Sequence, residues 1–332
     1  MDLAPAPEPA TAAWRGGPTP LLSVIVVTWN SAEVLPRCLD ALRRQTLTSR
    51  ELIVVDNGSA DDSVAIAERH EARLICNETN RGFAAAVNQG IAAARGELIQ
   101  LLNPDCFLHP EYCARLAASL GLAGSEFGMA TGKLLSAERP SLIDSKGIAM
   151  TRSGRHLDID QGLPDDEDDA DAEVFGVSGA AAMYRRSFLE DVSIDGEVFD
   201  EDFFSYREDA DLSWRGRLFG WRALYAADAV AHHVRRVTPE RRRDLPPLIN
   251  LHSVKNRFLL RLKNEGWRLA LRNAPFEISR DAVTIAAVLT VERTSLPALA
   301  WLWRHRSRIL AKRRAIQARR RVSDRTLARW FR

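Results

Sequence analysis

The sequence has no run of eighteen or more apolar residues, so no segment is expected to cross a membrane as a helix. Its four cysteines lack Cys-x-x-Cys spacing, which argues against a cysteine metal site or disulfide framework and predicts buried free thiols. Residues 1–20 are rich in Ala and Pro but lack a basic start followed by an apolar core. They are expected to form a flexible tail rather than a signal peptide.

Charge is unevenly distributed along the 332 residues, although the net charge is only +2. Residues 158–173 contain nine acidic side chains and no basic one. Residues 304–332 contain twelve Lys or Arg against one acid, so their net charge is 12 − 1 = +11. A binding partner would respond to these local charges rather than to the small net charge.

Strand-like and helix-like patterns alternate through residues 21–102. The predicted strands are Leu22–Val27, Leu52–Val55, Arg73–Cys76 and Glu97–Leu102, and the predicted helices are 32–44, 61–70 and one that begins near Phe83. This alternation, with short loops, predicts a parallel sheet covered on both faces. Ligands bind such sheets beyond the carboxyl ends of the strands.

Polar residues follow these strand ends. Asp56 ends the second strand and could accept the imide N–H of a pyrimidine base, or it could form an ordinary turn before a helix capped by Asp61. Residues 80–90 open the next helix with small side chains, which suits either an anion or tight helix packing. Asp105 follows the fourth strand after Asn103 and Pro104, as a divalent-cation ligand or as part of a turn.

A later cluster places Glu208, Asp209 and Asp211 at the start of a predicted helix. Acidic residues there interact favourably with the helix dipole, which is sufficient structural reason for them. The functional interpretation is that one of the three accepts a proton from an acceptor hydroxyl.

In this order and spacing, the motifs resemble those of family 2 glycosyltransferases with the GT-A fold, especially the bacterial rhamnosyltransferase-like branch. The resemblance covers residues 20–264 and is carried by Ser23–Asn30, the Asp56 cluster, Asn80–Gly90, Asn103–Asp105, Gly179–Arg186 and Phe203–Arg217. The basic segment Lys312–Arg321 also resembles the tails of such enzymes.

The resemblance implies an α/β fold, namely a Rossmann-like GT-A domain with a mostly parallel central sheet and a C-terminal helical extension. The expected divisions are a flexible tail (1–20), a catalytic domain (21–264) with a donor half (21–130) and an acceptor half (131–264), and a basic helical extension (265–332).

The resemblance also implies residue roles. Asp209 would be the catalytic base, with Glu208 and Asp211 as alternatives. Asp105 would ligate Mg²⁺ or Mn²⁺ together with His233 or, less well aligned, His232. The donor-binding residues would be Thr28, Asn30, Asp56, Asn57, Ser59, Arg81, Gly82, Asn88 and Asn103, and the acceptor-binding residues Gly179, Ala180, Trp214 and Arg215. Asn103 stands where the family often has Asp, so metal binding would depend mainly on one carboxylate and the donor diphosphate.

The implied reaction is inverting transfer of a sugar, best L-rhamnose from dTDP-rhamnose or else another UDP- or dTDP-sugar, to a hydroxyl of a glycan or lipid-linked acceptor. A sugar nucleotidyltransferase is the alternative, but Thr28–Ser31 stands where such enzymes have a Gly-rich loop. A non-catalytic membrane-docking module is disfavoured because Asp105 and Asp209 are both present.

The C-terminal segment interleaves Arg with Trp and Leu, which suits an anionic membrane surface better than a nucleic acid. The alternative is a solvated helix packed back on the core. The protein is therefore expected to be cytoplasmic and peripheral on the inner face of the cytoplasmic membrane, with no nucleic-acid partner.

Overall fold

The computed structural model describes residues 19–165, 169–235 and 247–332, so the predicted flexible tail lies almost wholly outside the described residues. A ten-stranded sheet forms the centre and a two-stranded hairpin flanks it. The strands are β1 (Leu22–Thr28), β2 (Arg50–Asp56), β3 (Arg73–Cys76), β4 (Leu98–Leu102), β5 (Cys106–Leu108), β6 (Phe127–Ser136), β7 (Ile143–Ser145), β8 (Ile148–Met150), β9 (His156–Asp158), β10 (Ala172–Val174), β11 (Ala181–Arg185) and β12 (Arg222–His233).

Helices cover both faces of the sheet and continue beyond it in the C-terminal third of the chain. They are α1 (Leu35–Arg43), α2 (Ser63–Arg69), α3 (Phe83–Ala93), α4 (Tyr112–Leu122), α5 (Arg186–Val192), α6 (Glu208–Leu218), α7 (Pro247–Asn264), α8 (Trp267–Thr290), α9 (Leu296–Arg304), α10 (Arg306–Ala318) and α11 (Asp324–Leu327).

The main sheet has the order β10-β12-β6-β11-β4-β1-β2-β3, with β5 paired to β12 and β7 paired to β6. β1, β2, β3 and β4 are parallel, and β12 is parallel to β6. The reversed strand β11 lies between β4 and β6 and is antiparallel to both. The predicted α/β fold, with a mostly parallel central sheet and a C-terminal helical region, is therefore confirmed.

The local sequence explains the first elements. All seven residues of β1 are buried, as expected of a β-branched strand covered on both faces. β3 has the predicted bounds, whereas α1 begins at Leu35 rather than residue 32. Pro36 then occupies the first turn of α1, where its missing N–H costs no helical hydrogen bond.

Most of the described acidic side chains in residues 158–173 form ion pairs within the protein. Lys146 Nζ lies 2.7 Å from Asp169 and 3.2 Å from Asp160, and Lys133 Nζ lies 2.8 Å from Asp165. Residues 166–168 lie outside the described residues. The run is therefore largely an internal ion-pair partner rather than a free acidic surface.

The basic C-terminal segment packs back on the core. Lys312 Nζ lies 2.6 Å from Asp200 and 2.9 Å from Glu197, and Arg321 lies 2.8 Å from Asp191. The chain end is anchored too, because the ring of Phe331 packs edge-on against Phe175 with the ring centres 5.9 Å apart. Part of this segment therefore packs on the core, and its contact with an anionic membrane stays a prediction.

Membrane-spanning potential is low in the described ranges. No single helix there has both the length and the apolar character needed to cross a bilayer. Only α8 together with residues 293–304 reaches those limits, and these two pieces are bent by 107°.

The thiol prediction needs one correction. Cys38, Cys106 and Cys113 are buried and free, but Cys76 is exposed. Cys76 ends β3, which is the edge strand of the sheet, so one side of it faces solvent.

Candidate active site

The carboxyl ends of β1 and β2 place Thr28 beside Asp56, which are register partners. Both side chains are buried. Asp56 Oδ2 accepts hydrogen bonds from the N–H groups of Gly58 (3.1 Å) and Ser59 (2.9 Å). Asp56 Oδ1 and Thr28 Oγ1 are buried without a partner among the described residues. Leaving such atoms unpaired is costly, so a ligand that donates hydrogen bonds here would relieve that cost.

Asn30 and Ser59 connect the two loops that follow these strands. The Asn30 N–H donates to Ser59 Oγ at 2.9 Å, and Asn30 Oδ1 accepts from the Ala60 N–H at 2.8 Å. Asn30 has a left-handed backbone with φ 49°, which Asn tolerates better than most residues. Both residues shape the rim of the Asp56 pocket, and their direct contact with a donor stays a prediction.

Asn57 joins the β2 loop to the start of α3. Its amide nitrogen donates to Asn80 Oδ1 at 2.9 Å, and its oxygen accepts from the Arg81 N–H at 3.0 Å. Gly82 follows with φ 89°, and a Cβ there would lie 2.6 Å from the ring of Phe204. Only glycine therefore fits this approach, while the Arg81 side chain lies at the surface.

Asn88 connects α3 to the segment before α6. Its amide nitrogen donates to the Phe199 carbonyl at 2.8 Å, and its oxygen accepts from the Phe199 N–H at 2.9 Å. The contact with the donor predicted for Asn88 stays a prediction.

Asp105 and His233 meet beyond the ends of β4 and β12. Asp105 Oδ1 lies 3.4 Å from His233 Nε2, and His233 Nδ1 lies 2.8 Å from Asp144 Oδ2. Burial would lower the pKa of His233, but the hydrogen bonds and charges of Asp105 and Asp144 outweigh burial and raise it to about 9. The imidazole is therefore held between two carboxylates.

This pair fits a divalent cation in part. Neighbouring ligands of an octahedral Mg²⁺ or Mn²⁺ stand about 3 Å apart, close to the observed Asp105–His233 spacing. Asp144 would orient the imidazole, as carboxylates behind metal-bound histidines commonly do. No group of three or more His, Cys, Asp or Glu side chains suited to a metal occurs in residues 19–165, 169–235 and 247–332, so other ligands would have to come from the donor or water.

His232 faces away from this pair. Successive strand residues point to opposite faces, and β12 places His232 beside Phe107. The geometry therefore favours His233 over His232. Asn103 contributes through its backbone, since its N–H donates to the Ala180 carbonyl at 2.9 Å and fixes the Asp105 turn against β11. The donor contact predicted for the Asn103 side chain stays a prediction.

Sequence reasoning missed Asp144, Arg235 and Asp158. Arg235 bonds Asp144 at 2.7 Å and Asp158 at 2.8 Å, so it links the His233 cluster to the β8–β9 hairpin. Asp144 and Arg235 are 91 positions apart, and no local spacing in the sequence connects them. Only the sheet, which brings β7 and β12 to opposite edges of β6, reveals the cluster.

The backbone before α6 is strained. Phe204, Tyr206 and Arg207 all have left-handed φ values of 64–72°, which non-glycine residues rarely adopt. Asn256 of α7 holds this turn, since its amide nitrogen lies 2.8–2.9 Å from the carbonyls of Phe203, Ser205 and Tyr206. The turn sets the direction in which α6 starts and so fixes the carboxylates in its first turn.

Glu208 and Asp209 begin α6, where burial and neighbouring carboxylates act on both side chains. Burial and the charge of Asp209 raise the pKa of Glu208 to about 8, and Glu208 Oε2 is buried without a partner in the described residues. Asp209 Oδ2 accepts from the Gly179 N–H at 3.1 Å. Burial also raises the pKa of Asp209, although the N–H groups of Gly179 and Ala210 oppose this. Both carboxyl groups are thus prepared to hold a proton.

Asp211, Trp214 and Arg215 do not fit their predicted roles. All three are buried to within 1% of full burial. Asp211 bonds Lys263 Nζ at 3.0 Å and Arg215 at 3.1 Å, so it is a structural ion-pair centre rather than a base. Arg215 also donates to two backbone carbonyls, and Trp214 packs on Phe331. Neither Trp214 nor Arg215 can reach an acceptor from these positions.

Gly179 and Ala180 hold two parts of the candidate site in place through backbone hydrogen bonds. Gly179 holds Asp209, and the carbonyl of Ala180 holds the Asn103 turn. These two neighbours therefore connect the candidate base to the candidate metal ligand. Their predicted contact with the acceptor stays a prediction.

The fold is that of a GT-A protein, and the residues predicted to hold the nucleotide, the cation and the acceptor proton lie along one edge of its sheet. The sequence model described as "Glycosyl transferase family 2" matches residues 23–193. The chain belongs to this family, which decides between the glycosyltransferase and nucleotidyltransferase interpretations in favour of the first.

Curated relatives agree. The Bacillus subtilis (strain 168) protein EpsH, described as a glycosyltransferase, is 28% identical over 271 residues, which cover 78% of this chain and 69% of EpsH. A PGL/p-HBAD biosynthesis glycosyltransferase of Mycobacterium bovis (strain BCG / Pasteur 1173P2) is 38% identical over 108 residues, which cover 31% of this chain and 42% of that protein.

Solved structures share the fold. A mannosyltransferase from Pyrobaculum calidifontis, solved with GDP-Man and Mn²⁺, has a TM-score of 0.52 and 19% identity, covering 98% of this chain and 91% of that one. S. aureus TarS 1-349, solved with UDP-GlcNAc, has a TM-score of 0.55 and 18% identity, covering 90% of this chain and 87% of that one. At these identities the likeness establishes the fold alone.

Proposed function

We propose that the protein is an inverting glycosyltransferase that moves a sugar from a nucleotide diphosphate to an acceptor hydroxyl, with Asp209 as the base. The observation that carries the proposal is the backbone connection between the candidate groups. Gly179 holds Asp209, and the next residue, Ala180, holds the turn that bears Asp105. A proton acceptor and a phosphate-side carboxylate are thereby fixed to the same two-residue segment.

The donor base would lie over the ends of β1 and β2. Asp56 Oδ1 is available to accept the imide N–H of uracil or thymine, because Oδ2 is already used by Gly58 and Ser59. Thr28 Oγ1 offers a second unpaired atom in the same place. This arrangement supports a UDP- or dTDP-sugar, and the resemblance to rhamnosyltransferases favours dTDP-rhamnose.

The acceptor hydroxyl would approach the Asp209 carboxylate. Asp209 accepts the hydroxyl proton as the oxygen attacks the anomeric carbon from the face opposite the leaving diphosphate, which inverts that centre. The Gly179 N–H keeps Oδ2 oriented during this transfer. Glu208, with its raised pKa, stays protonated near neutrality and so avoids placing a second negative charge beside Asp209.

Mg²⁺ or Mn²⁺ would be held by Asp105 and His233, with Asp144 orienting the imidazole. When bound, the cation would stabilise the negative charge that develops on the leaving diphosphate. Asp105 contributes the hard oxygen ligand that such ions prefer.

The acceptor and cellular site form a further part of the proposal. A glycan or lipid-linked glycan is the acceptor class, and the protein would act in the cytoplasm against the inner face of the cytoplasmic membrane. The support is the excess of Lys and Arg in the C-terminal region together with apolar side chains that stay exposed there.

A donor screen tests the proposed activity. Purified full-length protein with Mn²⁺ is incubated with dTDP-rhamnose, UDP-glucose, UDP-GlcNAc and GDP-mannose, and release of the nucleoside diphosphate is measured with and without a rhamnose-accepting glycan. We expect turnover of a pyrimidine donor, highest with dTDP-rhamnose. Turnover of GDP-mannose alone would overturn the pyrimidine pocket, and no turnover of any donor with any acceptor would overturn catalysis.

A further inference from the structure

Helix α8 carries an apolar stripe that residues 19–165, 169–235 and 247–332 leave uncovered. Leu271, Ile278, Ile285 and Leu289 follow one another at spacings of seven, seven and four residues, which puts them on one side of the helix. Their exposed fractions are 67%, 68%, 38% and 53%. Trp267, at the start of α8, extends the stripe by one turn and is 63% exposed. We call these five residues the apolar face of α8.

The opposite side of α8 is firmly attached to the protein. Buried Glu277 lies 3.1 Å from Arg261 of α7, and Asp281 lies 3.2 Å from Arg257. Leu269 and Val288 are buried. The helix is thus fixed in orientation, and its apolar face is presented outward by the fold rather than by fraying of a loose segment.

Between residues 266 and 304, every fully exposed charged side chain is an arginine. Arg268, Arg280 and Arg304 are exposed on α8 and α9. From residue 266 to 332 the only acidic residues are Glu277, Asp281, Glu292 and Asp324, and each is buried or half-buried. Three of these four pair with arginines. An exposed apolar stripe bordered by cations, with no fully exposed acid, complements a surface that is apolar inside and anionic at its boundary.

Two aromatic residues support the same orientation. Trp267 begins α8 and Trp303 lies near the end of α9, where it is 70% exposed. The Arg306 guanidinium lies 4.4 Å from the centre of the Trp303 ring, so a cation and an indole share one location. Indole rings beside arginines are favoured at the boundary between lipid headgroups and acyl chains.

A short connection leads from α8 to the active site. Arg152, in the β8–β9 hairpin, donates to the Arg272 carbonyl of α8 at 2.9 Å and packs over the ring of Phe276. Asp158, at the end of the same hairpin, pairs with Arg235 beside the His233 cluster. A lipid carrier held at α8 would therefore be one hairpin away from the residues proposed to perform transfer.

We infer that the apolar face of α8 is a monotopic docking surface that inserts into the headgroup boundary of an anionic bilayer. The inference deepens the proposed membrane partner and rests on that proposal. The membrane contact is placed on α8 and α9 and not on the basic terminal segment, because Lys312 and Arg321 of that segment are engaged in ion pairs. A second copy of the chain is the less suitable occupant, because a symmetric contact would bring the bordering arginines of both copies together.

Vesicle co-sedimentation tests the surface. Full-length protein is mixed with phosphatidylglycerol–phosphatidylcholine vesicles or with phosphatidylcholine vesicles, at low and at high salt. We expect binding to the anionic vesicles that weakens with salt, because attraction to the headgroups is screened over roughly 8–10 Å at physiological ionic strength. The double variant Leu271→Glu/Ile285→Glu should bind at least roughly tenfold more weakly, since two apolar insertions are lost.

Matched controls separate insertion from general charge. Leu122 of α4 is 90% exposed and lies outside α8, so Leu122→Glu makes the same chemical change elsewhere and should leave vesicle binding unchanged. Arg280→Gln should weaken binding about fivefold, as expected for one cation near the headgroups, whereas Arg43→Gln in α1 should not. Equal losses in test and control variants would overturn the inference.

Additional measurements keep the outcomes distinct. Thermal melts and calorimetry of dTDP with Mn²⁺ should be the same for the double variant and the unmodified protein, because the changed residues are exposed and away from the site. Sedimentation velocity identifies the other occupant: a dimer that the double variant dissociates, without vesicle binding, would overturn membrane docking. Retained transfer to a water-soluble acceptor by a protein that ignores anionic vesicles would defeat this inference while leaving the proposed glycosyltransfer intact.

Discussion

Asp209 and Asp211 stand two residues apart on α6, and the protein surrounds their carboxylates differently. Rotation by about 200° places them on opposite sides of the helix. Asp209 faces the sheet edge and accepts from the Gly179 N–H. Asp211 faces α7 and is fully buried against Lys263 and Arg215, with a further bond from Asn264 at 2.6 Å.

The same contrast separates larger regions. At the sheet edge, Asp56 Oδ1 and Glu208 Oε2 are buried without partners in the described residues. On the α7 and α10 side, Asp200 is paired with Lys263 and Lys312, and these charges hold its pKa well below the usual range despite burial. Asp200 and Asp211 thus have lysine or arginine partners built into the fold. At the sheet edge, by contrast, Asp56 Oδ1 and Glu208 Oε2 have no hydrogen-bond partner among the described residues, and Asp105 lies against His233.

The strongest way to break this comparison is Asp209→Asn. We expect transfer to fall about 10²–10⁴-fold, since a general base is removed while the Gly179 N–H can still bond the amide oxygen. Donor binding and the melting temperature should be nearly unchanged. A steady-state transfer assay with donor calorimetry decides it, and more than about a tenth of the original turnover would refute the assignment.

Asp211→Asn should have the reverse signature. Removing this charge leaves Lys263 and Arg215 buried with one counterion fewer, which is expected to cost about 3–5 kcal/mol of unfolding free energy. Denaturant unfolding measures the loss. In the double variant with Lys263→Met, the additional cost should shrink, and purely additive effects would contradict the ion-pair role.

Asp105→Ala tests the carboxylate that is proposed to hold the cation beside the donor diphosphate. We expect the affinity for dTDP or UDP to fall about 10–100-fold in Mn²⁺ and to stay unchanged in excess chelator, because the carboxylate acts through the cation. Calorimetry under both conditions gives the comparison. Asp228→Ala, at a side chain 86% exposed, is the control and should alter neither value.

A pH dependence at Glu208 gives a further test of the comparison. Its folded-state pKa is raised from 4.5 to about 8, so the folded protein binds more protons than the unfolded chain between these values. The contribution of Glu208 to stability is therefore present below pH 4.5 and is lost as the pH rises to about 8. Relative to the unmodified protein, Glu208→Gln should gain stability over that window. Denaturant unfolding at several pH values measures this difference. If the difference in unfolding free energy between the two proteins is the same at every pH in the window, the raised pKa is contradicted.

Much of the parallel half could be predicted, because each strand is a short apolar run that ends in a polar residue. β3, for example, has its predicted bounds. Asp56 and Asp105 could be predicted as candidate site residues because each follows a strand end, and ligands bind such sheets at that edge.

The remaining part could not be read from local pattern. Asp144 meets His233 across 89 positions, and Asn256 meets the turn before α6 across about 50. The resemblance implied that Trp214 and Arg215 bind the acceptor, but their positions on α6 bury both side chains. Sequence proximity identifies the helix, and only tertiary packing decides which side of it meets the substrate.

Asn256 is synthesised after the turn that it stabilises. The turn at residues 203–206 emerges from the ribosome about fifty residues before the side chain that holds its three carbonyls. Asp200 is separated from its ion-pair partner Lys312 by 112 residues, so that partner is synthesised later still. Until those partners arrive, burying this segment would strand unpaired polar groups, so the amino-terminal half can form its sheet early but not its finished catalytic turn. A chain that ends before Asn256 is therefore expected to lack the ordered turn before α6.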